Sequence, residues 1–273
     1  MKKRLAILYG LYGIGVTLFF AVILFPGDEA ALYVRGLWSR QFPGTELTVK
    51  SLSPALPAAL QFEEGAVRWG DGDGKTIRLD RLRLDPDFSS LFKGYLSVLF
   101  SGEAFGGRFS GRAQPSGRLT ARGPFSLDLT VRDLDMEALK KADLLGGRSL
   151  SGWLNGEFSY RGMPGEPAEG EGTADFHLRK GTIGLYGNIL GLSALPFDVF
   201  EGLCSLKDRI VRVEKISFSG NQVTGSFEGN VYLGRDLGKS RIALTGTLRI
   251  PPLNRTVTTV IGGTAAAPTV RLK

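Results

Sequence analysis

The sequence predicts a mainly β protein: an N-terminal transmembrane helix followed by a long, twisted, curled antiparallel β-sheet with one to three short helices. Three observations lead there. Leu5 to Phe25 form an apolar run without a charge. From Glu46 onward, apolar and polar residues alternate in short runs broken by Gly, Pro or Asp, the pattern of strands with one wet and one buried face. The 273 residues include 38 glycines and 13 prolines with 42% hydrophobic content, which suits turn-rich β structure.

The run "LAILYGLYGIGVTLFFAVILF" matches the ~20 residues a helix needs to cross ~30 Å of hydrocarbon. Lys2, Lys3 and Arg4 precede it, and Pro26, Gly27, Asp28 and Glu29 follow. That charge asymmetry places the N-terminus in the cytoplasm and the bulk of the chain beyond the membrane. The run is longer than the apolar core of a cleaved signal peptide and no small-x-small site closes it, so a retained anchor is expected. The expected organisation is 1-27 as cytoplasmic tail and anchor, 28-45 as amphipathic helix and connector, and 46-273 as a periplasmic antiparallel β domain. The last could hold two pseudo-repeated segments, about 46-150 and 151-273.

After the anchor, Ala30, Val34, Leu37, Trp38 and Phe42 fall at helical spacing, which predicts an amphipathic helix over 28–42 near the membrane surface. Asp28 and Glu29 suit its N-terminus, and "FPG" ends it. Its apolar stripe is expected to cap the following sheet rather than lie among headgroups. Strands are expected at "ELTVKS", "LQFEEGAVRW", "KTIRLDRLRLD", "GRFSGRAQ", "GRLTARG" and "FSLDLTVRDL". Between the second and third, "GDGDG" lacks the later ligands of a calcium loop and reads as a hairpin turn. "GMPGEPAEGEG", Gly162 to Gly172, reads as a mobile loop between strands.

Two helical interruptions are expected. Asp135 can cap a helix carrying Met136, Leu139 and Leu144, ended by Gly146. "LGLSALPFDVFEGL", with Pro196 in its middle, suggests a turn of helix or a hooked loop. Further on the alternation is clearest: Ala174, Phe176 and Leu178 share one face, as do Val223, Phe227, Val231 and Leu233, and Ile242, Leu244, Leu248 and Ile250.

One pattern is written twice. "IRLDRLRLD", Ile77 to Asp85, carries apolar residues at Ile77, Leu79, Leu82 and Leu84; "VRVEKISFS", Val211 to Ser219, repeats that spacing with Val211, Val213, Ile216 and Phe218. A single slip in an alternating strand predicts a bulge or a tight corner, since otherwise the second apolar pair would turn to solvent.

The net charge of +7 is spread along the strands with no basic run interleaved with aromatics, which argues against nucleic acid as a partner. Cys204 is the sole cysteine and has no intramolecular disulfide partner; a core of this size can do without one. His177, the only histidine, alternates with Phe176 and Leu178 and belongs on a solvent face. Asp133 and Asp135 lie two apart, and Glu166, Glu169 and Glu171 crowd one loop, yet none completes a catalytic or metal-binding set. No phosphate-binding glycine motif follows a strand and opens a helix. The expectation is therefore a protein that is not an enzyme, with no catalytic, cofactor-binding or metal-binding residues and no cofactor.

The lone anchor, the short helix, "LSPALPAALQFEEGAVRW", "DLDMEALKKADLLGGRSLSGWLNGEF", "LPFDVFEGLCSLKDRIVRVEKISFSGNQVTGSFEGNVYLG" and the closing "LTGTLRI" with "GGTAAAPTVRL" resemble the AsmA-like envelope proteins. At this length the chain looks most like the type II secretion system protein N family, the general secretion pathway protein N family. The resemblance spans almost all of the exported part and rests on small residues before alternating strands. It implies a single-pass bacterial inner-membrane protein, cytoplasmic at its N-terminus and periplasmic in bulk, with the membrane through Leu5 to Phe25 and other secretion-system subunits as partners. The wider AsmA-like kinship implies instead a lipid-handling or envelope-homeostasis protein with an apolar groove, and lipid as partner. It transfers no ligand residues.

Overall fold

The computed structural model describes residues 9, 12, 13, 16, 17, 19, 20, 23–41, 45–55, 59–69, 75–91, 94, 95, 97–115, 123–141, 149–163, 166–189, 192–251 and 255–272. The chain divides into two compact units, residues 1–86 and 87–273. Among the described residues, fourteen strands follow one another in sequence order, and within each unit every strand pairs antiparallel with the next, so the expected antiparallel meander is what forms.

In the first unit, helix α1 (Gly27–Gln41) precedes β1 (Thr45–Ala55), β2 (Ala59–Trp69) and β3 (Lys75–Pro86). The helix matches its expected span to within a residue, and its Ala30, Ala31 and Val34 pack with Val49, Leu52 and Phe62 in the core of this unit. The helix therefore caps the sheet, as its spacing implied. Arg35 of α1 donates to the Val49 carbonyl, and Trp38 Nε1 donates to Thr45 Oγ1 at 2.8 Å. Trp69 pairs with Lys75, so the "GDGDG" stretch joins two antiparallel strands, although residues 70–74 lie outside the described residues.

The slip in β3 is present, with Asp80 and Arg81 both exposed between half-buried Leu79 and Leu82. It needs no inserted residue. Phe62 pairs with Leu82 and Gly65 with Leu79, three residues on along each strand, and the same unbroken register joins β1 to β2. Instead Lys50, Glu64 and Asp80, neighbours on three adjacent strands, leave the ladder together. Glu64 sits at φ 49°, and Lys50 Nζ meets its carboxylate at 2.6 Å. The break is thus a corner shared by three strands, and the bulge alternative is corrected at this copy.

The second unit holds β4 (Val98–Ala104), β5 (Gly107–Pro115), β6 (Phe125–Asp135), β7 (Trp153–Gly162), β8 (Glu171–Ile189), β9 (Leu192–Lys207), β10 (Ile210–Ser219), β11 (Thr224–Tyr232), β12 (Arg241–Ile250), β13 (Arg255–Gly263) and β14 (Pro268–Leu272). Among the described residues, the short helix α2 (Phe88–Leu91) precedes β4, and α3 (Met136–Lys141) separates β6 from β7. Asp135 Oδ1 accepts from the Glu137 amide at 2.8 Å, the cap expected of it. Leu144 and Gly146 lie outside the described residues, as do positions 117–122 of the "GRLTARG" stretch. The loop "GMPGEPAEGEG" connects β7 to β8 and contains a 3-10 turn, Pro167–Glu169.

The second copy of the slip is a true bulge. Val213 pairs with Gly229 but Ile216 pairs with Phe227, so β10 carries one residue more than β11, and the register against β9 shifts at the same place. Glu214 and Lys215 are exposed while Val213 and Phe218 are buried.

The stretch around Pro196 is not helical or hooked; it is the first half of β9. Pairing with β10 ends at Val199, whereas pairing with β8 continues through Phe197, Pro196 and Leu195. Pro196 therefore stands where β9 has a ladder on one side only, and its missing N–H costs no bond.

Candidate functional site

Successive pairings line up one inward side chain per strand, and these form rows across the second unit. One row runs from Phe100 through Leu129, Phe158, Cys204 and Val213 to Leu244, with small residues between. The next alternates aromatic rings with glycine: Phe176 faces Gly156 and Gly202 across its two ladders, and Phe227 faces Gly246. A β-carbon on Gly202 would strike the Phe176 ring, and one on Gly246 the Phe227 ring. Each ring thus lies over the bare backbone of its neighbour. Phe176 also stacks on Phe200, with ring centres 6.1 Å apart and planes 24° apart.

Burial along this apolar face is uneven. At one end Leu134, Leu154, Leu178, Phe200, Phe218 and Leu248 make a row into which both core clusters of the unit gather. Met136 and Leu139 of α3 pack onto that end. At the other end, the row from Val98 through Leu127, Tyr160, Leu206 and Val211 to Ile242 is half-buried at every member. A continuous apolar face that is more deeply buried at one end than at the other can accept an apolar chain; its ionisable members in these rows are Cys204 and Tyr160, and burial raises the pKa of each. Cys204 lies within it as a free thiol whose pKa is pushed up by burial and by the nearby Glu214 carboxylate. A thiol held in its neutral form is a poor nucleophile.

The other candidate residues are dispersed. His177 is exposed on β8, opposite Asn155 and Glu201. Asp133 sits at φ 51° in an irregularity of β6 and pairs with Arg179 at 3.0 Å, so it and Asp135 serve separate local roles. Glu169 meets Arg209 at 3.4 Å and Glu171 meets Lys207 at 2.9 Å. The hydrogen bond and charge of Lys207 hold the Glu171 carboxyl below its usual range. Among the described residues, no group of three His, Cys, Asp or Glu side chains is placed to hold a metal ion. Sequence reading located the apolar positions of several strands, but it did not show that they join into rows, because that depends on register. The signal was present in Phe and Gly spacings that only pairing brings together.

Tyr9, Tyr12, Phe19, Phe20, Ile23 and Leu24 all expose more than half of their surface, and all but Leu24 are helical. Among the described residues no helix is long and apolar enough to cross a membrane, and most of the run from Leu5 to Phe25 lies outside them. No protein-family model, curated protein or solved structure matches the chain.

Proposed function

We propose that this protein is an inner-membrane-anchored periplasmic accessory component of a type II protein secretion system, with a structural or interaction role. The observation that supports the reading is the antiparallel meander from β4 to β14 with its continuous apolar face, the architecture implied by the resemblance to the protein N family. In this reading Leu5 to Phe25 span the membrane, the N-terminus is cytoplasmic, and the secretion subunits are the partners. The test has two parts. Alkaline phosphatase fused after Lys273 is active if the bulk is periplasmic. Deleting the gene from a bacterium that carries it lowers the export of secretion substrates, and complementation restores it; unchanged export rules the role out.

A second reading is favoured by one observation, the half-buried row from Val98 to Ile242. An AsmA-like lipid-handling protein would lay acyl chains along that open end. Mass spectrometry of the purified protein would then find co-isolated lipid, and Leu127→Asp, which puts a carboxylate in the row, would abolish it. Protein that carries no lipid from any preparation excludes this reading.

A further inference from the structure

The last apolar residue before α1 is not on a slack tether. Phe25 packs with the core of the first unit, among Ala31, Val49 and Leu52. A β-carbon on Gly27 would come within 2.5 Å of the Leu52 carbonyl oxygen, so β1 is pressed against the chain two residues beyond Phe25. If Leu5 to Phe25 span the bilayer, this unit therefore sits at the membrane surface without a linker. Helix α1 meets the sheet with Ala30, Ala31 and Val34, and its outer face carries Leu32 and Tyr33, which are 64% and 68% exposed. Leu32 is five residues past Gly27, which is about 7.5 Å of helix at 1.5 Å per residue. The polar layer of a bilayer adds about 5–7 Å on each side of the hydrocarbon. Run along the bilayer normal, α1 would carry both side chains past that layer; laid near the membrane plane, it keeps them at the depth where amphipathic residues, Tyr above all, partition.

We infer that the outer face of α1 docks onto the lipid surface, with Leu32 and Tyr33 inserted at the boundary between headgroups and acyl chains, so that the helix is held between the membrane and the three-stranded sheet. Asp28 and Glu29 are exposed on the same helix, so the contact is driven by apolar burial and does not depend on anionic headgroups. The inference rests on the reading of Leu5 to Phe25 as an anchor.

The test is depth-dependent quenching. The full chain with Cys204→Ser receives one cysteine at a time, Val16→Cys, Leu32→Cys, Tyr33→Cys or Thr245→Cys, each labelled with an environment-sensitive fluorophore. The protein is reconstituted into phosphatidylcholine vesicles carrying a spin label either near the headgroup or deep in the acyl chains. Labels at positions 32 and 33 should lose fluorescence to the shallow spin label, position 16 to the deep one, and position 245 to neither, with no change when anionic lipid is added. If position 16 is quenched deeply while 32 and 33 behave like 245, the docking is wrong and the anchor stands. Positions 32 and 33 quenched as deeply as 16 would make α1 part of the span and also overturn the docking. A position 16 that escapes the deep label removes the anchor and the docking with it.

Discussion

Gly202→Ala tests whether the aromatic rings truly occupy the space that glycine leaves on the neighbouring strand. The added methyl would meet Phe176, whose ring is held by its stacking on Phe200 and cannot simply swing away. Forcing an extra carbon into a filled site costs about 1–3 kcal/mol. Replacing glycine by alanine within a strand returns roughly 0.5–1 kcal/mol through lower backbone entropy in the unfolded chain. The net expectation is a loss of about 0.5–2 kcal/mol, which at this chain length lowers Tm by roughly 1–8 °C. In a Phe176→Ala background the obstruction is gone and only the entropy gain remains, so the same Gly202→Ala change should stabilise by roughly 0.5–1 kcal/mol. Urea unfolding of the full chain in detergent, followed by tryptophan fluorescence, gives all four corners of that cycle. If Gly202→Ala costs the same with and without the Phe176 ring, the ring does not fill the gap, and the alternating row loses its physical basis.

Leu79→Asp and Leu82→Asp should each destabilise the first unit by about 2 kcal/mol or more, while Arg78→Ser stays within roughly 0.5 kcal/mol; a mild Leu82→Asp in denaturant unfolding would mean that the corner does not return β3 to the core. The same contrast is expected at Val213 and Ile216 against Arg212. Cys204 should react with iodoacetamide more slowly than a free thiol at pH 8, and Glu214→Gln should speed it by lowering the thiol pKa. The sign for stability follows from the raised pKa: the contribution of Cys204 is complete below the unfolded-state thiol pKa and is lost as pH rises from there through the folded-state value, which unfolding curves between pH 7 and 10 would register. Asp135→Ala removes the carboxylate bound by the Glu137 amide and should cost about 0.5–2 kcal/mol, with faster amide exchange confined to α3.

Much of the sheet was legible because half-buried strands write their burial in period two, and Ala174, Phe176 and Leu178 or Ile242, Leu244 and Leu248 show it without interruption. Helix α1 was legible from its apolar spacing and its acidic start. The stretch at Pro196 was misread because a proline argues against a strand only where both ladders need its N–H, and sequence does not reveal that β10 stops short of it. The slip at Leu79 and Leu82 was visible, but its cause was not, since the aligned break at Lys50 and Glu64 lies in other strands. The apolar rows were hidden for the same reason: Phe176 and Gly202 are 26 positions apart and meet only through register.

The corner at Lys50, Glu64 and Asp80 adds no residue to any strand, and that governs how this part of the chain can change. The bulge of β10 is private to one strand: deleting Glu214 would merge it into the ladder while Val213 and Ile216 kept their inward direction. No such edit exists in β3. Deleting Arg81 would move Leu82 and Leu84 one place along an unchanged β2, so every pair beyond the corner would mismatch. The three strands can lose or relocate this corner only together, which makes their lengths an inherited unit and leaves insertions to the connecting turns.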